Sequence, residues 1–176
     1  MVWGMTLATF TAVHVVLSLV AIGAGFVVMT GLLGGRDRGG WTALFLVTTV
    51  ATSVTGFGFP VDHLLPSHVV GIVSLVVLAV AILARYGLRL RGAWRPVYVV
   101  CAALALNLNV FVGVVQAFLK VSALQALAPH QTEPPFLVAQ LVVLALFIVL
   151  AVLAVLAVLA ARRFRDESSI HVSARL

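Results

Sequence analysis

The chain has 176 residues, of which 63% are hydrophobic and 9% charged, with a net charge of +6, a mean hydropathy of +1.22 and a single cysteine. Soluble domains are about one quarter charged, so this composition excludes a water-soluble fold and intrinsic disorder, and one cysteine excludes a disulfide scaffold. In so apolar a chain the positive charge reports orientation in a bilayer, and nucleic acid is excluded as a partner.

A membrane-crossing helix needs about 20 mostly apolar residues. Five segments qualify: 5–33, 41–60, 67–88, 96–120 and 136–161. The breaks between them are Gly34 to Gly40, Pro60 to Pro66, Arg85 to Arg95 and Pro129 to Pro135. The predicted fold is therefore an all-α integral membrane protein, a bundle of five transmembrane helices. It forms one domain over residues 1–165, followed by a short cytoplasmic tail, 166–176. With the N-terminus outside, ten of the 11 Lys and Arg residues fall on the inner side: Arg36, Arg38, Arg85, Arg89, Arg91, Arg95, Arg162, Arg163, Arg165 and Arg175. Only Lys120 falls outside. The positive-inside rule then predicts an outside N-terminus, a cytoplasmic C-terminus and multi-pass insertion in the plasma (inner) membrane, with an anionic inner leaflet as partner. The N-terminus lacks a basic region and its apolar stretch is too long for a signal core, so it reads as a retained helix.

Along the first span Thr11, His14, Ser18, Ala21 and Gly25 recur at spacings of three and four, which places them on one helical face. The second carries Thr48, Thr49, Thr52, Ser53 and Thr55, a face of small hydroxyl residues on which other helices pack closely. It ends in Thr55-Gly56-Phe57-Gly58-Phe59-Pro60, read as a helix terminus with Gly and Pro as stop signals rather than as a gate. The third opens near His68. In the fourth, Asn109, Gly113, Gln116 and Lys120 share a face, with Asn109 about 16 Å below Lys120. Cys101 reads as a small core hydrophobe. Gln140 enters the fifth span at about the depth of Gln116, and Glu133 precedes Pro134 and Pro135 where a helix N-terminus favours an anion.

Polar groups in hydrocarbon are costly and turn toward partners or water. Here they gather in the outer half, which predicts an outward-facing polar pocket that binds or passes a small polar or amphipathic ligand. Its wall is His14, Ser18, Asn109, Gln116, Lys120 and Gln140, with Asp62, His68 and Glu133 at the mouth. Asp62 or Glu133 is the expected counter-charge for Lys120. Two alternatives use the same residues. One is a structural or accessory subunit of a larger membrane complex, or a homo-oligomer, whose polar stripes only join helices. The other is a redox subunit holding haem b or quinone, with His14 and His68 as the metal-ligand candidates, although their expected depths differ by about 10–14 Å. His63, His68 and His130 match no metal-ligand spacing, and the lack of paired deep carboxylates argues against an enzyme.

Overall fold

The computed structural model describes residues 1–60 and 66–173, with side chains through Ala160. The described residues form six α-helices: α1 (Leu7–Leu33), α2 (Gly39–Gly56), α3 (Pro66–Ile82), α4 (Trp94–Lys120), a short α5 (Ser122–Leu127) and α6 (Pro134–Ser173). A single π-turn, Leu83–Gly87, extends α3. Four segments are long and apolar enough to cross a membrane: Leu7–Leu33, Pro66–Gly87, Trp94–Lys120 and Pro134–Ala160. The protein is thus a helical membrane protein.

Local chemistry sets the helix ends. Val2 and Met5 exchange backbone hydrogen bonds of 2.9 and 3.0 Å around Trp3 and Gly4, both at positive φ, and this tight turn delivers Thr6 as the cap of α1. The Thr6 hydroxyl accepts from the Thr9 amide at 3.2 Å. α2 stops at Gly56, earlier than expected, because the Phe57 and Gly58 amides turn back onto Val54 and Thr55. A side chain at Gly58 would stand 2.7 Å from the Phe10 ring, so this exit needs a glycine. α6 runs beyond the expected 161 to Ser173, since no glycine or proline interrupts the sequence after Pro135.

The long helices alternate in direction. α1 packs on α2, α2 on α3, α3 on α4 and α4 on α1, closing a ring; α6 lies against α4 and α1. The end that gathers Arg36, Arg38, Arg85, Arg89 and Arg91 is here the arginine end, and the opposite one the histidine end. The ring interior toward the arginine end is packed hydrocarbon: Val28, Phe45, Leu46, Leu78, Val99, Ala102, Ala105 and Leu106. Small residues bring the backbones together. At Gly25 an added Cβ would lie 2.5 Å from Leu106 Cδ1 and 3.0 Å from the Phe45 ring. A second apolar cluster, Phe118, Ala128 and Phe136, clips α4, α5 and α6 together at the histidine end.

At the arginine end the π-turn aims Arg85 across the bundle. Its guanidinium binds both carboxylate oxygens of Asp37 at 2.8 and 3.1 Å and lies between the Tyr86 and Tyr98 rings, 5.6 and 5.5 Å from their centroids. This fastens the α1–α2 loop to the end of α3. Among the described residues the Tyr98 hydroxyl and Arg85 Nε are buried without a hydrogen-bond partner; Thr42 lies near the hydroxyl, but outside hydrogen-bonding geometry.

Candidate functional site

The polar side chains of α1, α2 and α4 meet at the histidine end. His14, half-buried on α1, places Nδ1 2.8 Å from Thr55 Oγ1 on α2. The Thr55 hydroxyl donates its only proton to the Ala51 carbonyl at 2.7 Å, so its oxygen accepts from His14 Nδ1–H. With the hydroxyl proton so placed, Nδ1 is the donor of this contact. The imidazole also stands edge-on to Phe59, which continues through Phe10 to Trp3 as a chain of edge-to-face aromatic contacts. His68, buried in the first turn of α3, instead stacks on Phe57 with ring centroids 5.5 Å apart. Each imidazole is therefore held by a different aromatic ring.

One helical turn or more below, Asn109 on α4 donates to Thr49 Oγ1 at 3.1 Å, and the Thr49 hydroxyl donates to the Phe45 carbonyl at 2.7 Å. Ser53 and Ser74 join α2 to α3 at 3.0 Å, both buried. The same device recurs along α2: Thr48, Thr49 and Thr55 return their protons to carbonyls of their own helix. A hydroxyl satisfied in this way costs little to bury and still offers its oxygen to a neighbouring helix. Sequence reading treated these threonines as a packing face; their service as acceptors for His14 and Asn109 could be suspected only from equal depths along antiparallel helices.

The remaining expected residues are placed as follows. Ser18 donates to the His14 carbonyl at 2.8 Å, within α1. Gln116 and Lys120 are exposed on the α4 face above Asn109. Lys120 lies near enough to His14 for its charge to bear on the ring, and among the described residues it has no ion-pair partner. Gln140 on α6 is buried and donates to the Phe111 carbonyl of α4 at 3.2 Å, while its Oε1 is without a partner. It faces α4 and α6 rather than the His14 group. Glu133 caps its own loop: its carboxylate accepts the backbone N–H groups of His130 at 3.2 Å and Thr132 at 3.0 Å. Some desolvation pushes its carboxyl upward, but these amides and the neighbouring His130 outweigh it and hold the carboxyl below its ordinary value. Gln131, at positive φ, fixes the same loop by donating to the Val115 carbonyl at 3.0 Å. Asp62 and His63 lie outside the described residues.

His14, Thr55, Thr49, Asn109, Gln116 and Lys120 thus form a polar band between α1, α2 and α4, deepest at Asn109 and cationic at its rim. Two open concavities lie elsewhere, toward the arginine end. Comparison of the chain with protein families, with curated proteins and with solved structures found no match.

Proposed function

We propose that the chain crosses the plasma membrane five times, N-terminus outside, and that its histidine end takes up a small amphipathic anion from the outer side. The distribution of arginines supports the orientation. Support for α2 as the fifth crossing comes from its length, 18 residues or about 27 Å, and from the hydrogen bonds that occupy the hydroxyls of Thr48, Thr49, Ser53 and Thr55, although that of Thr52 is buried without a partner among the described residues. The observation that carries the ligand reading is the pairing of an uncompensated cation with oriented hydrogen-bonding groups. Lys120 has no ion-pair partner among the described residues, lies within electrostatic range of His14, and shares its exposed face with Gln116. A carboxylate or phosphate set there would meet the Lys120 ammonium and the Gln116 amide, while its apolar part lay along Val16, Leu19 and the rest of the uncovered surface of α1.

The test is thermal unfolding of the detergent-purified protein with laurate as the probe. Laurate should raise the midpoint of the wild type and not of Lys120→Met, while the two ligand-free midpoints agree, because an exposed lysine contributes little to folding. Equal laurate shifts in both proteins refute the reading.

The alternative of a structural subunit is favoured by one observation: the His14–Thr55, Asn109–Thr49 and Ser53–Ser74 bonds already consume polar groups between helices. Under that reading Lys120→Met leaves every binding readout unchanged and the protein co-purifies with a larger membrane complex.

A further inference from the structure

At the arginine end, the turn from the π-turn into α4 holds three residues at positive φ, Arg89 (51°), Leu90 (55°) and Gly92 (52°). For arginine and leucine that conformation is strained, and such strain persists only where the surroundings enforce it. Here Leu90 packs against the main apolar core, and its amide donates to the Ala84 carbonyl at 2.9 Å. With Leu90 turned in, Arg89 and Arg91 are both left exposed. They line, with Gly87, Leu88 and Trp94, an open concavity of ≈ 430 Å³. Arg85 is neutralised by Asp37, whereas among the described residues neither Arg89 nor Arg91 has an ion-pair partner.

A second concavity, ≈ 390 Å³ and wholly apolar, is lined by Ala93, Pro96, Val97, Val100 and Cys101 of the α4 side and Val155 of α6. Trp94 of the first and Ala93 of the second are consecutive residues at the start of α4. From Ala93 the groove follows α4 for eight residues, about 12 Å, into the hydrocarbon-facing part of the bundle. A cationic bowl at a helix start, with an interfacial tryptophan in its lining and an open apolar groove along the same helix, matches one kind of molecule.

We infer that this composite cleft binds an anionic phospholipid, its phosphate held by the forked guanidinium groups of Arg89 and Arg91 and one acyl chain laid between α4 and α6. Arginine suits the role because its planar donors pair with two phosphate oxygens at once. The site lies at the opposite end from the Lys120 face and does not depend on that reading.

Native mass spectrometry of the full chain in a neutral detergent tests it, with phosphatidylglycerol, phosphatidylcholine and soluble glycerol phosphate as probes. The wild type should retain one phosphatidylglycerol in preference to phosphatidylcholine and should not retain glycerol phosphate. Arg89→Gln with Arg91→Gln should weaken that retention about tenfold or more. Val100→Trp, at an exposed position of the groove wall, should displace the acyl chain and weaken it with both arginines intact. Equal retention of the two lipids, or unchanged phosphatidylglycerol binding in either variant, overturns the assignment. Retention of glycerol phosphate as strong as that of the lipid overturns the acyl-chain half and makes the bowl a site for soluble phosphate.

Discussion

Two glycines in one helix give the sharpest test of the packing. Gly23 and Gly25 lie two residues apart on α1, so replacing either with alanine brings the same helix-propensity gain, about 0.5–1 kcal/mol. Their surroundings are opposite. A methyl group at Gly23 meets nothing within 4 Å, whereas at Gly25 it would lie 2.5 Å from Leu106 Cδ1 and 3.0 and 3.1 Å from two atoms of the Phe45 ring. Leu106 could rotate away in a loose core, but it is fully buried and Phe45 is 1% exposed, so neither has room to yield. Overpacking of this kind costs about 1–3 kcal/mol. Gly23→Ala should therefore stabilise by about 0.5–1 kcal/mol, and Gly25→Ala should fall below it by about 1–3 kcal/mol. Reversible unfolding in mixed dodecylmaltoside–SDS micelles measures both. Leu106→Ala removes the clashing methyl, so in that background Gly25→Ala should cost less than it does alone, a coupling that a double-mutant cycle isolates. If Gly25→Ala proves as stable as Gly23→Ala, the close approach of α1, α2 and α4 at this level is refuted.

Two further outcomes follow from the polar contacts. Thr49→Val keeps the shape of the buried side chain but removes the acceptor of Asn109 Nδ2, and should cost about 0.6–1.7 kcal/mol in the same unfolding assay, the range for interhelical hydrogen bonds in membranes; no loss would detach Asn109 from α2. The Glu133 carboxyl is held low in the folded protein, so its contribution is present above the ordinary glutamate range and disappears as pH falls through the lowered folded value. Melting curves of the wild type and Glu133→Gln should accordingly differ at neutral pH and converge in acid, and a gap that persists or widens in acid would contradict the capping role.

Hydropathy made four helices legible because a lipid-facing helix has to be apolar along its whole length. Expected segments 5–33, 67–88 and 96–120 correspond to Leu7–Leu33, Pro66–Gly87 and Trp94–Lys120 within about two residues. α2 is different in kind. Six of its 18 residues carry hydroxyls, which lower its mean hydropathy, and for Thr48, Thr49 and Thr55 the cost is lifted by bonds to carbonyls of their own helix that no hydropathy sum contains. The depth argument for His14 and Asn109 rested on rise per residue alone. It placed both near mid-membrane at similar depth, whereas the structure gives them threonines of α2 six residues apart, about 9 Å, His14 to Thr55 and Asn109 to Thr49. Glu133 shows the complementary limit. Charge alone suggested Lys120 as its partner, whereas amides one and three residues away take its oxygens, because such short-range bonds need no long side chain to be ordered.

The arginine end holds the feature that sequence reading could least supply. Ten arginines on one side give an orientation but do not distinguish one arginine from another. What separates them is backbone geometry. The extra residue of the π-turn closes a 2.8 Å bond from the Leu88 amide to the Leu83 carbonyl and carries Arg85 onto Asp37. The left-handed turn that follows then buries Leu90 between two exposed arginines. A regular helix through the same residues would put Arg85 and Arg89 on one face and turn Arg91 well away from both. The irregular turn instead commits Arg85 to holding the α1–α2 loop and leaves Arg89 and Arg91 exposed around one concavity. The strain at Leu90 is held by its packing into the core, and its consequence is that Arg89 and Arg91 are both exposed. Glycine at both 89 and 90, as at Gly92, would avoid the strain but leave the core without the Leu90 side chain.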